Sequence, residues 1–121
     1  MSHPTIVIFY VENPKVSAAF FRRLLEVEPV EESPTSAMFK LSSGMMLGLW
    51  IRSEVLPAVQ GVPGAAEPTV TAGDRSEVDR TLVKWRASGA VIALEPKQLD
   101  FGYGFAVRDP DGHPVRVFTP N

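Results

Sequence analysis

Residues 5–25 read TIVIFYVENPKVSAAFFRRLL, and the change of rhythm at Asn13-Pro14 decides the fold. Thr5 to Val11 is β-branched and aromatic, which suits an extended chain half-buried on a pleated surface. Asn13 is a helix N-cap residue, and Pro14 fits the first helical position, where its missing N–H is not needed. Val16, Ala19, Phe20 and Leu24 then recur at three- and four-residue spacing through about residue 26, while Arg22, Arg23 and Glu26 stay in water. A strand therefore runs directly into an amphipathic helix.

Working outward, short extended segments are expected near Pro29–Glu32, Ala37–Leu41 and Met45–Ile51, with Ser42-Ser43-Gly44 as the hairpin turn between the last two. Residues 52–66 hold Pro57, Gly61, Pro63 and Gly64 without periodicity and read as a linker. The pattern then restarts. Glu67–Ala72 alternates like a strand, and Asp74-Arg75-Ser76-Glu77 offers caps and an acidic first turn. Val78, Leu82 and Trp85 form a helical stripe closed by Gly89. Val91–Leu94, Phe101–Val107 and Val115–Thr119 follow as strands, and Asp109-Pro110-Asp111-Gly112 suits a type I turn. The expectation is one α+β domain over residues 1–121, built from two βαβββ repeats (4–52 and 66–121) around a linker at 53–65. A strongly curved mixed sheet with helices on its convex face would leave the concave face as a cleft.

Composition narrows the function. A chain of 121 residues with 45% apolar content buries one good core. Twelve Lys and Arg against 14 Asp and Glu give a formal charge of −2, which offers no field for nucleic acid. The absence of cysteine removes disulfides, thiolate metal sites and thiol nucleophiles, and suits a reducing cytoplasm. Residues 1–4 lack a charged segment leading into an apolar one, and the longest apolar run, Ile6–Val11, is too short to span a bilayer. A cytoplasmic protein with no membrane partner is expected.

Alternation assigns faces. Leu47, Leu49 and Ile51 belong together as core, opposite Met46, Gly48 and Trp50. A glycine two residues before an indole is what a flat ligand stacked on tryptophan would require, although Trp50 also reads as a core residue. Phe101, Tyr103, Phe105 and Val107 are the bulky set opposite Gly102, Gly104 and Ala106, where the glycines fit either a bulge or close ligand approach. Arg116 and Phe118 oppose Val115 and Val117, and Ile6, Ile8 and Tyr10 oppose Val7, Phe9 and Val11. Arg116, taken alone, fits a surface position on an edge strand better than a cleft. Trp85 sits at core spacing, Glu67 reads as a solvated carboxylate, and neither His3 nor His113 pairs with another ligand at useful spacing.

Tyr10-Val11-Glu12-Asn13-Pro14, Ser17, Phe20-Phe21, Leu24-Leu25, Ser43-Gly44, Leu47-Gly48-Leu49-Trp50, Glu77-Val78-Asp79, Gly104-Phe105 and Asp109-Pro110-Asp111-Gly112-His113 occur in this order along nearly the whole chain. Together they resemble the vicinal oxygen chelate superfamily of glyoxalases, extradiol dioxygenases and antibiotic-resistance proteins. Enzymes of that family hold a divalent metal with His, Gln or Glu from the first and last strands of each repeat. The matching positions here are Ile6, Trp50 or Gly48, Glu67 and Arg116, of which only Glu67 suits a cation, while a guanidinium opposes one. The resemblance thus implies no metal, no cofactor and no catalytic residue. It implies instead a binding protein that sequesters a planar aromatic antibiotic or metabolite of phenazine type. Trp50, Gly48, Met46 and Gly104 would line its site, with Phe118, Tyr10 or Tyr103 as a second aromatic wall. Arg116 would pair with a ligand carboxylate. The resemblance also implies a homodimer whose clefts combine one repeat of each chain, the linker acting as the hinge of a domain swap. The rival is a metal-dependent lyase, isomerase or thiol transferase. A bleomycin-type binder would need an acidic groove, against which the small net charge and Arg116 argue.

Overall fold

The computed structural model describes residues 2–121, and the chain divides into two compact units at Gly61/Val62, inside the expected linker. In the first unit β1 (Ile6–Val11), α1 (Pro14–Leu25), β2 (Glu31–Ser33), β3 (Ser36–Lys40) and β4 (Met46–Ile51) follow in order. Asn13 Oδ1 accepts the Lys15 N–H at 3.0 Å, so the cap inferred from sequence is made. The helix ends at Glu26 in the left-handed region (φ 55°), an unusual place for a residue with a side chain. The sheet order is β1-β4-β3-β2, with β1 and β4 parallel and the other pairs antiparallel. Val11, Phe21, Phe39 and Leu49 are fully buried between α1 and the sheet, each worth about 1.5–3 kcal/mol of apolar burial. The strand expected at Pro29–Glu32 begins later, because Pro29 has no N–H for the ladder; Val30 N–H nevertheless reaches Met38 O at 2.7 Å. Beyond β4 the linker is partly structured. Arg52–Glu54 makes a single 3-10 turn, Val55 is buried, and Arg52 Nη2 donates to Gly61 O at 2.9 Å.

The second unit repeats the order with β5 (Thr69–Thr71), α2 (Arg75–Ala87), β6 (Val91–Leu99), β7 (Gly102–Arg108) and β8 (Pro114–Pro120). A reciprocal cap starts α2. Asp74 Oδ1 accepts Glu77 N–H at 2.8 Å, and Glu77 Oε2 accepts Gly73 N–H at 2.7 Å. Gly89, at φ 92°, turns the chain out of the helix. The sheet order is β5-β8-β7-β6, again with one parallel pair, β5 with β8. Val78, Phe105, Val107, Val115 and Val117 are buried beneath α2, and Trp85 meets Phe105 edge to face at 5.6 Å. Trp85 is thus core, as its spacing implies. β6 runs five residues past the expected end at Leu94, with register shifts between Ile92 and Leu94 and between Leu94 and Lys97. The second irregularity spans Pro96, which an edge strand tolerates at a bulge. The fold is the expected α+β pair of βαβββ repeats, each carrying its own four-stranded mixed sheet, with strand pairing confined within each repeat.

Candidate functional site

In the first repeat, Phe9, Val11, Ala37, Phe39, Leu47 and Leu49 face α1 and are buried. The alternate residues form the helix-free face. Strand register sets Tyr10 opposite Trp50, Ile8 opposite Gly48 and Ile6 opposite Met46 across β1 and β4, and Ser36 and Met38 opposite Trp50 and Gly48 across β3 and β4. Four expected site residues, Tyr10, Met46, Gly48 and Trp50, therefore share one surface. Trp50 is 38% exposed and Tyr10 37%, so neither is core.

The role of Gly48 is to leave room for side chains. A Cβ there would lie 3.1 Å from Ile8 Cγ1 and 3.6 Å from both Met38 Cε and Trp50 Nε1. The indole edge, a thioether and an isoleucine thus converge over the glycine. Beside them opens a pocket of about 540 Å³, whose lining includes Trp50, Met38, Ser36, Glu31, Glu54 and Leu56. Sequence reasoning missed Met38, although alternation against Ala37 and Phe39 would have placed it. Glu31, Glu54 and Leu56 carry no such signal, since each is positioned by a strand edge or by the linker.

In the second repeat, Arg116 and Phe118 share the helix-free face with Gly104, Ala106, Thr69 and Thr71. Arg116 is engaged. Its Nε and Nη2 donate to Glu67 Oε2 and Oε1 at 2.6 and 3.0 Å, and Thr69 Oγ1 donates to Oε2 at 3.0 Å. The side chains are only 22% and 26% exposed. Hydrogen bonding from Arg116 holds the Glu67 carboxyl below its ordinary range despite partial burial, and the same contact pushes the Arg116 pKa up. Glu67 is therefore a bidentate partner, in contrast to the solvated carboxylate expected from sequence.

Phe118 meets Phe101 edge to face at 5.2 Å, and Arg116 Cζ lies 5.7 Å from the Phe101 ring. Phe101 was expected among the bulky set with Tyr103. It precedes β7 in a turn, and Gly102 at φ 159° breaks the alternation on which that grouping relied. Tyr103 also needs correction as a companion of Arg116 and Phe118. It stands on the helix-covered face, its hydroxyl donating to Asp79 Oδ1 at 2.7 Å and the Arg75 guanidinium 4.0 Å over its ring. Gly104 is required by its own sheet. A Cβ there would collide with Val117 O and come within 2.6 Å of Phe118 Cβ.

Two βαβββ repeats, each exposing a helix-free sheet face that carries an aromatic residue at the end of a strand, define a glyoxalase-like protein. Residues 3–117 match the Glyoxalase/Bleomycin resistance protein/Dioxygenase superfamily, and the chain belongs to it. It is 28% identical over 117 residues to the phenazine antibiotic resistance protein EhpR of Enterobacter agglomerans, an alignment covering 94% of this chain and 89% of that protein. Among solved structures it is similar to protein ATC0852 from Agrobacterium tumefaciens, with 41% identity, 100% and 99% coverage and a TM-score of 0.86. A glyoxalase-related enzyme from Fulvimarina pelagi, 19% identical with 98% and 88% coverage and a TM-score of 0.83, shares the fold. Among the described residues no helix is long and apolar enough to cross a membrane.

The divalent metal held by the family's enzymes does not fit the residues at the matching positions. In the first repeat Ile6, Gly48 and Trp50 offer no lone pair for a cation. In the second, both Glu67 oxygens already face the Arg116 guanidinium, a cation itself. No group of three or more His, Cys, Asp or Glu that could hold an ion forms among the described residues.

Proposed function

We propose that this chain is a metal-free binding protein that sequesters a planar aromatic, phenazine-like compound and so lowers its free concentration, giving resistance to it. The observation that carries the reading is the exposed indole of Trp50, seated over Gly48 beside a pocket of about 540 Å³. That volume lies within the roughly 300–1,000 Å³ of ordinary ligand pockets. A flat heteroaromatic ring stacked on the indole would gain about 0.5–1.5 kcal/mol beyond its burial, and Met38 offers a polarizable flank. The similarity to EhpR supports the ligand class. In this reading the protein acts in the cytoplasm as a homodimer, a partner chain completing the site through exchange about the linker. Arg116, with its fork committed to Glu67, anchors the second sheet and brings no net charge to the ligand.

The test is a calorimetric titration of phenazine into the wild type and Trp50→Phe, with the recovered ligand weighed by mass spectrometry. Calorimetry removes the ambiguity that Trp85 brings to emission. Binding with an unaltered ligand mass, weakened in the variant by about two- to tenfold, is expected from the loss of the larger ring. Unchanged affinity rejects the role of Trp50. Stoichiometric zinc, manganese, nickel or iron in protein purified without chelator would favour a metal-dependent lyase, isomerase or thiol transferase instead.

A further inference from the structure

The charged residues around the Trp50 pocket are of one sign. Among the described residues, Glu31 and Glu54 are the only ionisable side chains lining it. Two arginines close to them in sequence are already paired, Arg22 with Glu28 at 3.1 Å and Glu32 at 2.8 Å, and Arg52 with Glu12 at 3.6 Å and Gly61 O at 2.9 Å, and Arg23 does not line the pocket. The helix-free face carries a lysine, Lys40, but it lies opposite Met46 on β4, two ladder positions along from the Met38–Gly48 pair, and does not line the pocket. Glu31 pairs in register with Met38, and Met38 with Gly48, which places a carboxylate on the strand flanking the indole seat. An indole face is itself electron-rich and attracts a cation while repelling an anion.

Resting on the sequestration reading above, we propose that the pocket takes planar aromatic ligands bearing a positive charge or none, and disfavours those bearing a carboxylate. The indole supplies the stacking surface, and the sign of the field comes from two carboxylates that no arginine or lysine of the pocket neutralises. This reverses the carboxylate-pairing role that the sequence suggests for Arg116, whose guanidinium is committed to Glu67.

Three tricyclic probes of nearly the same shape separate charge from stacking: N-methylphenazinium, phenazine and phenazine-1-carboxylate, each titrated calorimetrically at neutral pH into the full chain. The expected order of affinity is cation, neutral, anion, with roughly tenfold between the extremes in low salt and a smaller gap at physiological ionic strength. The double variant Glu31→Gln/Glu54→Gln should narrow that gap, the cation losing affinity and the anion gaining it relative to phenazine titrated into the same variant. Carboxylate binding as tight as that of the cation, or a preference that the double variant retains in full, overturns the inference while leaving the pocket reading in place. Failure of all three probes to bind removes both.

Discussion

Arg116 on β8 and Glu67, 49 residues apart in sequence and two residues before β5, form a two-bond fork, with Nε–Oε2 at 2.6 Å and Nη2–Oε1 at 3.0 Å. At the two positions that the family resemblance matches to metal donors, this chain carries a carboxylate and a guanidinium. The pair closes on itself, each Glu67 oxygen already accepting from the guanidinium.

Arg116→Gln should therefore destabilise the fold by about 1–3 kcal/mol, because it leaves a half-buried carboxylate short of charge-assisted bonds. The loss is pH-dependent. A carboxyl whose folded pKa lies below its ordinary 4.5 stabilises the protein above that value and gives the stabilisation up as pH falls through the depressed pKa. Urea denaturation of wild type and variant should diverge at neutral pH and converge in acid.

Asp109 should behave with the opposite sign. Its Oδ1 accepts Asp111 N–H at 2.9 Å and His113 N–H at 2.8 Å, yet burial outweighs these bonds and raises its pKa above 3.8. The folded state thus favours the protonated acid, and the stability this confers is lost as pH rises through the raised pKa. Relative to Asp109→Asn, which retains the Oδ1 acceptor, the wild type should gain stability as pH falls. Asp109→Ala loses both turn bonds and should cost about 1–3 kcal/mol at neutral pH, the gap from the wild type widening as pH falls in the same titration.

Glycines of the two helix-free faces should respond differently. Gly104→Ala drives a methyl against Val117 O and the Phe118 backbone, which cannot yield cheaply, and should cost about 1–3 kcal/mol in thermal unfolding. Gly48→Ala meets only side-chain atoms at 3.1 Å and beyond and should unfold near the wild-type temperature. Gly48→Val, with its extra methyls under the indole, should weaken phenazine binding several-fold more than Gly48→Ala does.

Tyr103→Phe removes the hydroxyl bond to Asp79 and should cost no more than about 1 kcal/mol. Because the ring faces α2, phenazine affinity should be unchanged. A loss of affinity would return Tyr103 to the ligand site.

Much of this was legible in the sequence because it is written in local rhythm. The Asn13 cap, the Asp74–Glu77 box, the Asp109 turn and the alternation that places Trp50 with Gly48 all depend on residues within four positions of one another. What escaped depended on events that rhythm does not encode. Phe101 changed company because Gly102 reset the alternation at a turn, and β6 outran its apolar pattern because bulges let an edge strand absorb Pro96. The Glu67–Arg116 fork joins the two ends of the second repeat, a distance over which neither residue announces the other. Glu31 and Glu54 were invisible as pocket residues for the same reason, since a solvated glutamate and one facing a cavity look alike in sequence.

Every inter-strand ladder begins and ends inside one repeat. Neither half must wait for a loop to close across the middle of the chain before its hydrogen bonds form, so the entropic barrier to assembly is set by excursions within each half alone. Amide exchange should accordingly sort into two protected sets, each with its own opening free energy, and a lesion in one ladder should leave the slowest-exchanging amides of the other untouched.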